Sequence, residues 1–204
     1  MMHSTHARVS SAHARVETKA EEGCAVHMAT AIKRWTLEEL HSLPDDGNRY
    51  ELIDGELFVT PPPTDEHETI AARLSRILDP YVARNGLGFA YRPRAVVRTA
   101  GSEVEPDLMV RQPQNDRRAK WDDAPIPVLV VEISSPYTRR RDHVQKRDHY
   151  MKVGVPEYWI VDPEERTIAQ IRPGEPDLVN APQIVWSPEG ASEPLDVDVM
   201  EVFG

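Results

Sequence analysis

The chain of 204 residues is long enough for one domain with a sizeable core. No apolar run approaches the roughly 20 residues that span a bilayer, and a single cysteine excludes an internal disulfide, so we expect a protein of the reducing cytoplasm with no membrane partner. The formal net charge of −10 argues against a nucleic-acid partner, but most of the acid excess lies in residues 153–204, which leaves residues 28–152 close to neutral.

Residues 1–27 are polar, with four of the eight histidines scattered among Ser, Ala and Arg. This composition buries too little apolar surface to fold, and it predicts a disordered N-terminal extension before a folded domain over residues 28–204. Met28 is a candidate for the natural start. A metal-binding histidine tail is the alternative, and the irregular spacing of the histidines favours disorder over it.

The first elements carry start and turn signals. Thr36 followed by Glu39 has the spacing of a capping box and predicts a short helix that ends at Pro44. The pair Asp54-Gly55 lies between two alternating apolar runs and predicts a β-hairpin.

The later elements follow from apolar periodicity and turn residues. A long helix is predicted over residues 64–86, and we expect Pro80 to kink or interrupt it. The remaining predicted strands lie over 89–99, 127–134 and 156–163, with a short strand in 103–110 that opens on Pro106-Asp107. A basic helix is predicted over 138–154, and Gly154 closes it. Strands and helices around the central apolar strand predict an α/β (α+β) core.

Two carboxylates lie at strand ends. Asp107 begins the apolar part of one strand, and Glu132 interrupts the apolar strand 127–134 near its end. If the two strands are antiparallel neighbours, both acids meet at one edge of the sheet, where two hard oxygen ligands suit Mg²⁺. A divalent cation would also remove the repulsion between close carboxylates. Taken singly, a turn residue at Asp107 and a solvent-reaching charge at Glu132 are the simpler interpretations.

The following basic helix offers a cation for phosphodiester chemistry. Ser134, not a lysine, stands two residues after Glu132. Asp142, Lys146 and Tyr150 are spaced at four-residue intervals and share one helix face, so Lys146 can point toward the end of that strand. The spacing alone favours an ordinary surface lysine that pairs with Asp142.

Four segments, in this order, resemble the Uma family of restriction endonucleases, which belongs to the PD-(D/E)XK nuclease superfamily. They are RYELIDGEL, EPDLMV, VLVVEISSP and RDHVQKRDHYMKVGVPEYWIVDP, within residues 33–172. The resemblance implies a restriction-endonuclease-like fold, a mixed β-sheet flanked by helices with an N-terminal hairpin, and a magnesium-dependent site.

The same resemblance implies roles for the site residues. Asp107 matches the acid of the PD motif, and Glu132 matches the acid of the (D/E)XK strand. The lysine of the (D/E)XK motif would stand two residues after the acid, where this sequence has Ser134. Lys146 on the next helix would take its place. These two acids, with the backbone carbonyl of Ile133, would bind Mg²⁺ or Mn²⁺, and the lysine would position water and stabilise the transition state.

Further residues are implied around this centre. Glu51 matches an additional acid from the hairpin, which would reach the metal through water or hold a second metal ion. His67 matches a recurrent histidine of the first long helix. Neighbours of the site would then include His67, Ser134, Asp142 and Tyr150. The basic residues that would contact phosphates are Arg139, Arg140, Arg141 and Arg147 beside Lys146, and a solvated helix face explains them equally well.

The implied activity is a Mg²⁺- or Mn²⁺-dependent endonuclease that hydrolyses phosphodiester bonds of DNA. A chain of this size would act as a homodimer if it cuts both strands of a duplex. A catalytically degenerate nucleic-acid-binding or interaction module is the first alternative, with Ser134 as its symptom. A phosphoesterase or an RNA-directed enzyme is the second, because the same chemistry serves any phosphodiester.

Overall fold

The computed structural model describes residues 33–204 except 117 and 119, and their strands form three sheets. The predicted disordered extension over residues 1–27 and the boundary at Met28 lie outside the described residues. One sheet has four strands, one has five and one has two. The first two carry the predicted site residues.

Strands and helices alternate along the described chain, as predicted for a mixed α and β core. The strands are β1 Arg49–Ile53, β2 Glu56–Thr60, β3 Phe89–Tyr91, β4 Val97–Thr99, β5 Ser102–Val104, β6 Leu108–Arg111, β7 Leu129–Ile133, β8 Tyr158–Asp162, β9 Thr167–Ile171, β10 Gln183–Trp186 and β11 Leu195–Asp198. The helices are α1 Leu37–His41, α2 Asp65–Arg84, α3 Arg139–Arg141, α4 Arg147–Val153 and α5 Val199–Phe203. A 3₁₀ turn spans Trp121–Asp123, and a π-helical turn, Asp142–Lys146, joins α3 to α4. None of the helices in residues 33–204, outside the two gaps, has the length and apolar character needed to cross a membrane.

β1 and β2 form the predicted hairpin. They pair antiparallel along their whole length, with Glu51 opposite Phe58 at the centre. Asp54 and Gly55 both have left-handed backbone, with φ of 47° and 84°. A two-residue hairpin turn of type I′ requires positive φ at both positions, which explains the Asp-Gly pair.

The sheet orders place the hairpin and the central apolar strand in different sheets. The four-stranded sheet has the order β2-β1-β5-β4, and the five-stranded sheet has the order β3-β6-β7-β8-β9. In the latter, β7 and β8 are parallel, while the other neighbours are antiparallel. The continuous helical segment from α3 to α4 forms the crossover that a parallel pair requires.

The single strand predicted over 89–99 is wrong, whereas the strand predicted to open on Pro106-Asp107 is confirmed as β6; the segments 89–99 and 103–110 each divide between the two larger sheets. The first gives β3 and β4, and the second gives β5 and β6. Pro93 interrupts the first segment and Pro106 the second, and a proline has no N–H to donate to a sheet ladder. Asp107 therefore lies where the chain passes from one sheet to the other.

The long helix α2 begins and ends close to the predicted residues. The Thr64 side chain accepts a hydrogen bond from the backbone N–H of His67, and Asn85 is the C-cap. The prediction of an interruption at Pro80 is wrong, since one helix runs through that position. Pro80 is exposed, so the carbonyl of Arg76 that loses its helical partner can bind water instead.

Apolar side chains cover both faces of the five-stranded sheet. On one face, Leu74 and Leu78 of α2 belong to the same cluster as Val131 of β7. On the other face, Tyr150 of α4 belongs to a cluster with Val130. A strand that is buried on both faces has no polar side to alternate with, which explains the uninterrupted apolar run before Glu132.

We expect Gly88→Ala to destabilise the fold more than Gly86→Ala. Both glycines have positive φ, 97° and 64°, but a Cβ on Gly88 would overlap the carbonyl of Arg111 in β6, whereas a Cβ on Gly86 meets no atom. The left-handed backbone alone costs about 1–2 kcal/mol with alanine, and the overlap adds about 1–3 kcal/mol. Urea unfolding of the two variants measures the difference. Equal losses would mean that β3 shifts freely at the sheet edge.

Candidate active site

A buried lysine joins the two larger sheets through ion pairs. Glu51 of β1, Glu132 of β7 and Lys146 at the end of the π-helical turn are each at most 1% exposed. The Lys146 Nζ lies 2.9 Å from Glu51 Oε1 and 2.9 Å from Glu132 Oε1. The prediction that Lys146 points toward the end of the Glu132 strand is confirmed, and the surface-lysine alternative is wrong.

Asp107 lies beside this cluster, just before β6. The antiparallel register that pairs Leu108 with Val131 places Asp107 next to Glu132, so the predicted arrangement of the two strands is confirmed. Asp107 is 3% exposed, and its Oδ2 accepts a hydrogen bond of 2.8 Å from the backbone N–H of Ile133. This hydrogen bond extends the pairing of β6 and β7 by one contact. It fixes Asp107 where β6 begins, at the end of β7.

An arginine and a histidine hold Asp107 from other elements. Arg49 of β1 donates from Nη1 to Asp107 Oδ1 at 2.8 Å. His67 in the first turn of α2 places Nε2 3.2 Å from Asp107 Oδ2. Burial alone would raise the pKa of Asp107, but the hydrogen bond from His67 and the charge of Arg49 outweigh it and hold the pKa well below its ordinary value.

The π-helical turn places the polar face of the crossover helix. The expected α-helical face of Asp142, Lys146 and Tyr150 is corrected here, since Asp142–Lys146 is wider than an α-helical turn. Asp142 accepts a hydrogen bond of 2.8 Å from the Ser134 hydroxyl, and Tyr150 donates one of 2.7 Å to Glu132 Oε1. All four predicted neighbours, His67 included, therefore contact or flank the site acids.

The surroundings of Glu132 and Glu51 shift the pKa values of these two acids in opposite directions. Burial raises the pKa of Glu132 to about 8, and Asp107, Asp142 and Glu51 add to the shift against the opposing charge of Lys146. Burial also acts on Glu51, but the charges of Lys146, Arg49 and Arg141 outweigh it and lower the pKa. The two carboxyl groups that flank Lys146 therefore have their pKa values shifted in opposite directions.

The predicted phosphate-binding arginines are mostly engaged. Arg139 contacts Asp162 and Glu164, and Arg147 contacts Asp177 at 2.7 Å. Arg141 is 8% exposed, donates to Thr60 Oγ1 at 2.8 Å and lies 3.5 Å from Glu51 Oε2. Arg140 is exposed, and among the described residues no acid lies within ion-pair distance of it.

The donor chemistry at the sheet edge fits a hard divalent cation. Among the described residues, no group of three His, Cys, Asp or Glu side chains could hold a metal ion, so Glu51 does not join Asp107 and Glu132 as a third direct ligand. The physical reason is that Lys146 lies between Glu51 and Glu132. Mg²⁺ needs only one or two protein carboxylates and completes its shell with water and phosphate.

Sequence reasoning missed Arg49. This residue lies two positions before Glu51 on β1. Alternate residues of a strand share one face, so Arg49 and Glu51 point the same way. It had no signal of its own, because an arginine at the start of a hairpin strand is ordinary. Its contact with Asp107 depends on the crossing between the two sheets.

Comparisons with known proteins agree with the fold. A model of the family Uma2, described as "Putative restriction endonuclease", matches residues 37–198. A similar solved structure is that of "a putative nuclease belonging to DUF820 from Anabaena variabilis ATCC 29413", with a TM-score of 0.70 and 23% identity over 83% of this chain and 97% of that chain. At this identity the likeness shows the fold, and the predicted restriction-endonuclease-like architecture is confirmed. No curated protein matches the chain.

We expect Lys146→Met to lower the free energy of unfolding by about 3–5 kcal/mol in metal-free buffer, because it leaves buried Glu51 without its closest cation. Adding Glu51→Gln to that variant removes the uncompensated charge and should restore part of the loss. Urea unfolding followed by circular dichroism, with a chelator present, measures both. A double variant no more stable than Lys146→Met would show that the ion pair contributes nothing to the fold.

Proposed function

The chain belongs to the Uma2 family, and we propose that it is a Mg²⁺- or Mn²⁺-dependent endonuclease that hydrolyses phosphodiester bonds of DNA. One observation carries the proposal. Two acids on adjacent antiparallel strands, Asp107 and Glu132, meet at one edge of the sheet with the buried ammonium of Lys146 beside them. This is the charge set that phosphodiester hydrolysis needs.

Asp107 and Glu132 would hold the metal ion. The N–H of Ile133 points at Asp107, and the N–H and C=O of one strand residue point to the same side, so the Ile133 carbonyl also faces this edge. Glu51 would act through water, since Lys146 and Arg141 already contact its oxygens. When bound, Mg²⁺ or Mn²⁺ supplies Lewis-acid stabilisation of the phosphate and lowers the pKa of a bound water.

Lys146 would act as a fixed positive charge. Its place between Glu51 and Glu132 keeps it an ammonium, which orients the attacking water and stabilises negative charge on the phosphate. Hydrolysis adds the water hydroxyl to phosphorus, breaks the bond from phosphorus to one sugar oxygen, and gives that oxygen the remaining proton. Tyr150 holds Glu132 in place through its hydrogen bond of 2.7 Å.

The description of the Uma2 family as a restriction endonuclease supports DNA as the substrate. Exposed Arg140, which lies on the helix that carries Lys146, supports contact with a phosphate next to the site. Arg139 and Arg147 would serve phosphates only after leaving their acidic partners. A homodimer remains our proposal for cleavage of both strands.

We expect the parent protein to bind Mn²⁺ in calorimetry, and Asp107→Asn and Glu132→Gln each to abolish that binding, because each removes one of two carboxylate ligands. With Mn²⁺ and supercoiled plasmid, the parent should nick or linearise DNA. Lys146→Ala should lower the cleavage rate by about 10²–10³-fold, as the loss of one transition-state charge does.

Arg147→Ala is the matched control for the calorimetry alone, since it removes a charge of the same helical segment that pairs with Asp177, away from Asp107 and Glu132. It should keep metal binding. A parent that binds no Mn²⁺ would contradict the metal-dependent mechanism and favour a degenerate binding module. If the protein binds metal but cleaves only RNA, RNA would be the substrate in place of DNA.

Moving the lysine to the strand tests its role directly. Ser134 directly follows β7, two residues after Glu132, and its N–H still donates to the Val161 carbonyl of β8, so the two side chains share a face. The substitution Ser134→Lys in a Lys146→Ala background therefore places an ammonium beside the same acid. We expect it to recover at least about tenfold of the cleavage rate that Lys146→Ala loses.

The measurement is plasmid cleavage by the single and double variants under identical metal conditions. Ser134→Met in the same Lys146→Ala background is the uncharged control. Equal recovery of the cleavage rate in that control would contradict an electrostatic role for the lysine.

A further inference from the structure

Cations and donors already engage both oxygens of Asp107. Arg49 Nη1 donates to Oδ1 at 2.8 Å. The N–H of Ile133 donates to Oδ2 at 2.8 Å, and His67 Nε2 lies 3.2 Å from the same atom. The backbone N–H is neutral and fixed by the strand. A metal ion that binds Asp107 must therefore compete with the guanidinium of Arg49 for Oδ1.

Arg49 is the most accessible of the arginine and lysine side chains in the site. Its side chain is 17% exposed, while Lys146 is fully buried and Arg141 is 8% exposed. Arg141 is also held by Thr60, by Glu51 and by the ring of Phe58, which lies 5.5 Å from its guanidinium. Arg49 makes one ion pair with Asp107 and one hydrogen bond of 3.0 Å to the Glu105 carbonyl.

Arg49 and a divalent cation compete for the same carboxylate. A guanidinium within 3 Å of Oδ1 and a metal ion on Asp107 repel each other strongly in a buried site, where little water screens them. Because the two cations compete, a ligand that draws Arg49 away from Asp107 favours metal binding there, and metal binding favours that ligand to the same degree. A substrate phosphate that accepts hydrogen bonds from Arg49 would therefore favour metal binding.

We propose that Arg49 exchanges partners, pairing with Asp107 in the metal-free protein and binding the phosphate of the substrate when a metal ion occupies Asp107. The inference rests on the proposed function and adds a substrate-binding residue to it. The planar guanidinium matches two phosphate oxygens at once, and 17% of the Arg49 side chain is accessible to a ligand.

Calorimetry with Mn²⁺ alone tests the exchange. Arg49→Gln removes the competing charge, so we expect it to bind Mn²⁺ at least about fivefold more tightly than the parent. Arg49→Lys keeps the charge and should stay close to the parent. With a 20-base-pair duplex as the probe and Ca²⁺ as the cation, added metal should tighten DNA binding in the parent and less so in Arg49→Gln.

The sign of the change decides between the exchange and a purely structural role. If Arg49 only holds Asp107 in place, folded Arg49→Gln will bind Mn²⁺ more weakly, which would overturn the inference and leave the proposed function intact. A parent that binds no Mn²⁺ would instead refute the proposed function itself.

A measurement on the parent avoids dependence on a variant that fails to fold. In ¹H–¹⁵N spectra of the arginine side chains, the Nη groups of an ion-paired arginine rotate slowly. We expect the Arg49 signals to show this restriction without metal and to lose it on addition of Mg²⁺. Signals that keep the restriction at saturating Mg²⁺ would overturn the exchange.

Discussion

Lys146 has no exposed surface, and its ammonium lies 2.9 Å from an oxygen of Glu51 and 2.9 Å from an oxygen of Glu132. These acids belong to different sheets, and the lysine belongs to the helical crossover between β7 and β8. An uncompensated buried charge costs about 3–5 kcal/mol, so holding the three elements at ion-pair distance stabilises the fold. The ion pairs that set the distances within the site therefore also contribute to the stability of the fold.

Hydrogen bonds around the crossover helix maintain that spacing. Asp142 accepts a hydrogen bond from Ser134 at the end of β7, and its backbone carbonyl accepts one of 3.1 Å from Tyr158 of β8. Tyr150 reaches back to Glu132 from the next turn. The π-helical turn is anchored to both parallel strands, which fixes where Lys146 projects. A lysine on a helix can in this way serve a position that a strand residue would otherwise occupy.

The sequence predicted the features that depend on local chemistry. The Asp54-Gly55 turn and the apolar strand before Glu132 each follow from a few neighbouring residues. The passage of the chain between sheets at Pro106 could not be read, because a proline predicts a break without saying which strand the next segment joins. The contact of Arg49 with Asp107 depends on that passage and was missed for the same reason.

Two sites with buried carboxylates differ in how many of their polar atoms have hydrogen-bond partners. Glu157 is 4% exposed, and its two oxygens accept hydrogen bonds from Trp159, Gln170 and Arg172. In the site cluster, Glu51 Oε2, Asp142 Oδ1, Arg141 Nε and Lys146 Nζ are buried without a hydrogen-bond partner, and ion pairs alone engage them.

A cluster that served stability alone would be expected to resemble the first, since unsatisfied buried oxygens oppose folding. Glu132 adds a carboxyl group whose pKa is raised by burial, with the neighbouring acids adding to the shift against the opposing charge of Lys146. The site therefore holds buried groups of both charges with incomplete hydrogen bonding, beside Arg49, whose side chain is 17% exposed. Under the proposed function, a metal ion and a substrate phosphate would complete the contacts of these groups.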